Sequence, residues 1–305
     1  MIANRIAYGE TLVELAKERK DIVILDADAC KSTGTLPCRS EVPDHFVQCG
    51  IAEQNMMGVA AGMAMNGKTA FVTTFAVFTC MRAVEQVRNA ACYANVPVKV
   101  VGTHAGLETG GDGGTHQATE DISIMRSLAN MQVLVPASPN ATRKITRLIA
   151  DEKGPSYMRL GKDPNPELYD EKEEFVLGGS KQLADGDDYA IIACGNMVFR
   201  ALEAAKMLAE EGIHCRVIDM YSIKPIDKDA IVRAAKETKG IITVEDHNVL
   251  GGLGGAVAEV VTELCPARVK RMGLQDVYGR SGDPDKLYEM FHLTPADIAQ
   301  TVREF

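Results

Sequence analysis

Short runs of apolar and β-branched residues alternate with longer segments of helical periodicity along the whole chain. Several runs, such as Asp21–Asp26 and Tyr189–Cys194, are almost continuously apolar, which is typical of parallel strands covered on both faces. The other predicted strands are Phe46–Cys49, Thr69–Thr74, Val98–Gly102, Gln132–Pro136, Ser156–Leu160, Cys215–Met220, Ile241–Asp246 and Val269–Gly273. This alternation predicts an α/β fold with two doubly wound domains and mostly parallel sheets.

One charged segment interrupts this alternation. Residues 161–188 contain 9 acidic and 3 basic residues, so six of the nine net negative charges of the chain fall here. Prolines and glycines also interrupt the segment, and this composition indicates an exposed linker. We therefore predict a first domain at residues 1–165, a linker at 166–185 and a second domain at 186–305. Ser138 and Thr294, each followed by proline, predict the starts of two helices.

Composition narrows the classes of partner. The chain has 305 residues and a net charge of −9, which argues against nucleic acid or an anionic membrane surface as the main partner. No apolar run reaches the roughly 20 residues of a membrane span, and the N-terminus has no signal-peptide pattern. The eight cysteines form no Cys-x-x-Cys pair. We interpret them as reduced thiols of a cytoplasmic protein, without a structural zinc site.

Glu53 has an unusual place for a carboxylate. It lies in the first turn of a predicted helix, where the helix dipole favours a glutamate. However, Met56, Met57 and Ala60 follow at spacings of three, four and seven residues, so Glu53 shares the face that packs inward. A buried carboxylate needs a partner, and a ligand is one candidate.

Two further segments carry candidate chemistry. Phe75 and Phe78 lie three residues apart where a strand gives way to a helix, and this spacing alone favours a place in the core. The glycine-rich loop after the strand Val98–Gly102 contains His104, Asp112 and His116, which suggests proton handling or polar substrate contacts. No metal-ligand spacing is recognisable there. The glycines at 251–255 do not fit a dinucleotide fingerprint and predict a tight strand-to-helix turn.

Three motifs in combination resemble the C-terminal half of transketolase. They are Gly50-Ile-Ala-Glu53-Gln, Thr74-Phe75-x-x-Phe78 and Asp112-Gly-x-Thr-His116-Gln-x-x-Glu120. Residues 1–165 resemble the pyrimidine-binding domain, and residues from about 180 onward resemble the transketolase C-terminal domain. The family's diphosphate-binding domain has no counterpart here: Gly111-Asp112-Gly113 is not followed by the Asn-Asn pair of that motif. The resemblance implies one subunit of a split transketolase, paired with an N-terminal subunit as α2β2.

The resemblance also implies roles for single residues. Glu53 corresponds to the glutamate that hydrogen-bonds N1′ of thiamine diphosphate and promotes formation of the reactive ylid. Phe75 and Phe78 would line the pyrimidine, Met81 stands where the family has a third aromatic residue, and Asp28 lies near the subunit contact. The implied substrate contacts, of which Ser32 and Arg159 would bind phosphate and His104 and His116 would act in catalysis, are Ser32, His104, Asp112, His116 and Arg159. The chain would supply no metal ligand, and Mg²⁺ would be held mainly by the partner.

Two other classes of protein share part of the pattern. Deoxyxylulose-phosphate synthase has similar Glu and Asp-Gly-x-Thr-His motifs but usually lacks a histidine at the position of His104. The beta subunits of 2-oxoacid dehydrogenases lack the Asp-Gly-x-Thr-His-Gln run. A catalytically silent homologue that acts as a scaffold is the alternative outside enzymes, and the intact Glu53 and His116 argue against it. The expected reaction moves a two-carbon ketol unit from a ketose phosphate to an aldose phosphate.

Overall fold

The computed structural model describes residues 1–305 and contains two large, mostly parallel sheets. The strands are β1 Ile2–Ala3, β2 Ile22–Asp26, β3 Phe46–Gln48, β4 Thr69–Phe75, β5 Val98–Thr103, β6 Gln132–Leu134, β7 Ser156–Arg159, β8 Pro164–Asn165, β9 Lys181–Ala184, β10 Tyr189–Ala193, β11 Cys215–Asp219, β12 Ser222–Lys224, β13 Ile241–Asn248 and β14 Val269–Leu274. The helices are α1 Asn4–Glu18, α2 Cys30–Thr33, α3 Leu36–Glu41, α4 Glu53–Met65, α5 Val84–Gln86, α6 Asp121–Ser127, α7 Pro139–Asp151, α8 Met197–Glu210, α9 Lys228–Glu237, α10 Leu253–Leu264, α11 Pro284–Met290 and α12 Pro295–Glu304.

The first sheet has the strand order β12-β6-β7-β5-β4-β2-β3, and only β12 runs antiparallel to its neighbour. Its strands are apolar on both faces because helices cover both. In β4, Ala70 and Val72 pack in the cluster that contains α4, whereas Phe71 packs with Tyr8 and Leu12 of α1. All ten predicted strands are present, and the prediction of an α/β fold is confirmed.

The second sheet has the order β14-β13-β10-β11-β9, with β9 antiparallel at its edge. One face packs on α8 and α12. The other face belongs to a cluster of 41 buried residues that continues into the first sheet. In addition, β12 comes from the second half of the chain and pairs with β6 of the first sheet. The two halves therefore share a core, although the sequence pattern predicts two separate units.

The segment predicted as an exposed linker is partly buried. Tyr169 and Phe175 pack against Tyr221 in a cluster of edge-to-face rings, and residues 181–184 form β9. The count of charges did not reveal these contacts, because the acidic side chains between the two aromatic residues face the solvent while the rings point inward.

Local signals from the sequence have mixed outcomes. Thr294 caps α12 in a reciprocal capping box with Asp297. Ser138 precedes α7 as predicted, but its hydroxyl donates to Glu167, and this glutamate accepts the N–H of Asn140 instead. The glycines after β13 form a turn whose N–H groups at Leu253 and Gly254 donate to Glu245.

No helix of the chain has both the length and the apolar composition to cross a membrane. All eight cysteines are free thiols.

Candidate active site

The candidate site lies at the carboxyl ends of the strands in the first sheet. The chain passes from β2 outward to β3, then returns to β4 on the other side of β2. Such a reversal of strand order leaves a crevice in which α/β proteins bind ligands. Glu53, Phe75 and His104 stand at the ends of β3, β4 and β5 or immediately after them.

Glu53 points inward at the start of α4, as its helical spacing predicts. Only 3% of the residue is exposed. Its carboxylate has one side-chain partner, Arg82, whose Nη1 lies 3.1 Å from both Oε1 and Oε2. The Arg82 side chain is 51% exposed, so the only group bound to the Glu53 carboxylate comes from the solvent side.

Four rings gather beside this carboxylate. Phe75 stacks on His104 with ring centroids 4.0 Å apart and lies parallel to Phe78 at 5.9 Å. His116 meets both phenylalanines edge-on, at 6.3 Å from Phe75 and 5.6 Å from Phe78. Phe75 and Phe78 are half-buried, although their spacing alone favours the core. The structure thus brings together four of the predicted site residues.

The turn after β4 has an unusual helical form. Phe78–Arg82 is π-helical, and the N–H of Ala83 bonds to the carbonyl of Phe78. This turn places the Arg82 guanidinium carbon 4.7 Å from the centre of the Phe78 ring. Met81, in the same turn, lines an open cavity of about 550 Å³ that the exposed Tyr278 also borders.

His104 is buried and held in a left-handed backbone conformation, with φ of 54°. Its Nδ1 lies 3.0 Å from the Thr103 hydroxyl, and its carbonyl accepts a hydrogen bond from Thr109. Burial lowers the pKa of His104 to about 4, and the nearby charges of Arg5 and Lys162 lower it further. The imidazole is therefore neutral at pH 7 and can both donate and accept a hydrogen bond.

Arg5 and Lys162 are two cations of this region that the sequence pattern did not reveal. Arg5 donates from Nε to the Lys162 carbonyl at 3.0 Å and from Nη1 to the Ser32 carbonyl at 2.9 Å. Lys162 donates from Nζ to the Thr109 carbonyl at 3.1 Å. Neither residue stands in a recognisable motif, since only the folded chain brings residues 5, 32 and 162 together.

Arg159 does not belong to this group of cations. It is buried, with Nε bonded to Asp121 at 2.8 Å and Nη2 bonded to the carbonyls of Ala118 and Asp246. An arginine whose donors are engaged in this way has a structural place in the fold. Its position argues against the phosphate contact that the resemblance implied for it.

Two other predicted residues are exposed. Asp28 follows β2 with φ of 60°, and its N–H donates to the side chain of Gln48. Asp112 lies in the loop after β5, close enough to His104 for its charge to oppose the lowering of the histidine pKa. No three His, Cys, Asp or Glu side chains of the chain come together in a group that could hold a metal ion.

Two family descriptions match the chain: transketolase, pyrimidine binding domain, over residues 1–166, and transketolase, C-terminal domain, over residues 178–298. A putative transketolase C-terminal section from Methanocaldococcus jannaschii is 44% identical over 98% of this chain and 95% of its own length. One of the two subunits of an apulose-4-phosphate transketolase from Phocaeicola vulgatus is 40% identical over 100% of this chain and 98% of its own.

Longer and solved relatives agree. Human transketolase is 38% identical over 99% of this chain, which spans 49% of the human protein. A solved split-gene transketolase, described as an inactive β4 tetramer, is 46% identical and superposes with a TM-score of 0.91 over 99% of this chain and 97% of that one. The chain therefore belongs to the transketolase family and corresponds to its C-terminal half.

Proposed function

We propose that this chain is the C-terminal subunit of a two-chain, thiamine-diphosphate-dependent transketolase. The reaction would move a two-carbon ketol unit from a ketose phosphate to an aldose phosphate. The observation that carries the proposal is the buried Glu53 carboxylate, which stands beside the half-exposed Phe75 and Phe78 and the neutral His104. The relatives from M. jannaschii and P. vulgatus are transketolases, which favours this reaction over a deoxyxylulose-phosphate synthase or a silent scaffold.

The residues present fit the pyrimidine half of thiamine diphosphate. A buried carboxylate can hold a proton against a ring nitrogen, and the flat faces of phenylalanines can stack on the ring. When bound, the cofactor supplies the carbon that carries the two-carbon unit. We infer that its diphosphate and Mg²⁺ are held mainly by an N-terminal transketolase subunit, because these two relatives are themselves a C-terminal section and a single subunit of a transketolase.

Each remaining residue then has a task on the sugar. His104 and His116 would hold the protons of the sugar hydroxyls and the reacting carbonyl, and Asp112 would accept from a hydroxyl. For the phosphate, Ser32 would be joined by Arg5 and Lys162, because both cations converge on this region and carry donors suited to phosphate oxygens.

The other parts of the chain support this site. In this proposal residues 1–165 bind the cofactor's pyrimidine, with Met81 on its wall and Asp28 near the contact between subunits. Residues 166–185 connect the halves, and residues 186–305 form the C-terminal domain. We place the assembly, an α2β2 complex in the pentose phosphate pathway, in the cytoplasm, where free thiols such as these persist.

Reconstitution tests the proposal. The chain is co-expressed with an N-terminal transketolase section, and each chain alone and the complex are assayed for ketol transfer with Mg²⁺ and thiamine diphosphate. We expect activity only in the complex and a mass of two copies of each chain by light scattering. Full activity of the isolated chain would contradict the split-enzyme proposal, and an assembled but inactive complex would contradict the enzyme itself.

A further inference from the structure

The loop at residues 104–117, which carries His104, Asp112 and His116, is fixed by the second sheet. Asp246, near the end of β13, accepts the N–H of Leu107 with both carboxylate oxygens at 3.0 Å. Gly106 has φ of 72°, and a Cβ at this position would collide with the Asp246 carboxylate. The close approach of backbone and carboxylate therefore depends on a glycine.

Asp246 is itself held firmly. Only 1% of the residue is exposed. The Tyr288 hydroxyl of α11 donates to Oδ2 at 2.8 Å, and the Arg159 guanidinium donates to the Asp246 carbonyl at 2.7 Å. A carboxylate with this many fixed partners positions the group that it accepts, which here is the backbone between His104 and Asp112.

A second contact from the same half of the chain holds the far end of the loop. Ser281 donates from its hydroxyl to the Gly111 carbonyl at 2.6 Å, and Gln117 donates to the Arg280 carbonyl at 2.9 Å. Residues 280–281 precede α11, which also supplies Tyr288. Both ends of the loop that follows the buried Gly106–Gly110 turn are thus bonded to the C-terminal domain.

Resting on the proposed function, we infer that Asp246 is a positioning residue for ketol transfer. Together with Ser281 it forms a brace, by which the C-terminal domain keeps the loop at 104–117 in the shape that sets His104, Asp112 and His116 against the sugar. This gives the C-terminal domain a role in substrate use, which neither the motifs nor the family match assigns to it.

Asp246→Asn tests the brace, because the asparagine keeps the volume of the side chain but offers one acceptor oxygen instead of two. Asp219→Asn is the matched control. Asp219 is an equally buried carboxylate at the end of β11 in the same sheet, and it pairs with the Tyr169 hydroxyl at 2.6 Å without touching the loop.

Two readouts separate positioning from general destabilisation. In the isolated chain, we expect hydrogen exchange of peptides covering 104–117 to speed up at least tenfold in Asp246→Asn and not in Asp219→Asn. In the reconstituted complex, we expect kcat/KM for the phosphorylated ketose to fall at least tenfold, mainly through KM, while the Kd for thiamine diphosphate stays within twofold. Equal behaviour of the two variants in both readouts would overturn the inference.

The exchange measurement needs no activity, so it judges the brace even if the complex proves inactive and the proposed function fails. Where Asp246→Asn does not fold, Ser281→Ala replaces it, since Ser281 is exposed and its loss removes only the second contact. A Ser281→Ala chain that folds with unchanged exchange at 110–117 and unchanged KM would equally overturn the inference.

Discussion

Arg82 bridges both oxygens of Glu53 at 3.1 Å while its guanidinium carbon lies 4.7 Å from the centre of the Phe78 ring. These are the two groups that we propose for the pyrimidine, one at its nitrogen edge and one at its face. Arg82 therefore competes with the cofactor for the carboxylate and has to turn outward when the cofactor binds. Because its side chain is half exposed, solvent can receive it.

We predict that Arg82→Gln tightens the binding of thiamine diphosphate to the reconstituted complex by about two- to fivefold, the range expected for removing one partly exposed ion pair. Calorimetric titration measures this directly. Arg88→Gln serves as the control, because Arg88 is exposed and bonds only to its neighbour Asn89. Weaker binding in Arg82→Gln would show that Arg82 helps to hold the cofactor instead.

The two cations near Ser32 predict a phosphate-specific defect. In Arg5→Gln and Lys162→Gln, we expect KM for phosphorylated sugars to rise roughly ten- to a hundredfold, as the loss of a charge-assisted hydrogen bond implies. The use of the corresponding sugar without phosphate stays unchanged. Equal losses with both sugars would remove these cations from the phosphate site. Arg159→Met, by contrast, is expected to lower the melting temperature, since it leaves the buried Asp121 unpaired.

His104 is predicted to stay neutral through the physiological range. Burial and the charges of Arg5 and Lys162 lower its pKa to about 4, so its ring should show no titration between pH 5 and pH 8 by NMR. Arg5→Gln should move the pKa upward, because one of the opposing charges is gone. A midpoint near 6.5 in the wild-type chain would contradict the buried position of the ring.

Glu108 predicts a pH dependence of stability. Burial, followed by the charge of Asp246, raises its pKa to about 7 from an ordinary value of 4.5. The native state therefore holds a proton that the unfolded chain releases, so this group costs stability as the pH rises from about 4.5 to 7. In Glu108→Gln that cost disappears, and the free energy of unfolding relative to wild type should rise across this window by on the order of 1–3 kcal/mol.

Denaturant titrations at several pH values measure this difference. Glu10→Gln is the control, because Glu10 is exposed and pairs with Arg143 on the surface. A difference between Glu108→Gln and wild type that does not change with pH would mean that Glu108 is ionised throughout.

The sequence predicted features that depend on local pattern. Parallel strands announce themselves because both faces are apolar, and the inward direction of Glu53 follows from helical spacing. The use of Phe75 and Phe78 required the family resemblance, since their spacing alone favours the core. Arg5 and Lys162 were missed because 157 residues separate them, and only the sheet brings them together.

Other differences have the same origin in tertiary contacts. Arg159 matched a family position by sequence, yet the neighbouring Asp121 and the carbonyl of Asp246 engage its donors. Likewise, β12 joins the first sheet from the second half of the chain, because an edge strand can be supplied by any segment that reaches it. Neither contact has a signal in the local pattern of residues.

Glu53 carries the central claim, and exchange of the C2 proton of thiamine diphosphate in the reconstituted complex tests it most directly. We predict that Glu53→Gln slows this exchange at least ~100-fold, the effect of losing a positioned proton acceptor, while the complex still assembles and binds the cofactor. Glu85→Gln, at an exposed glutamate of the following turn, should exchange at the wild-type rate. An unchanged exchange rate in Glu53→Gln would contradict the proposal that this chain activates the cofactor.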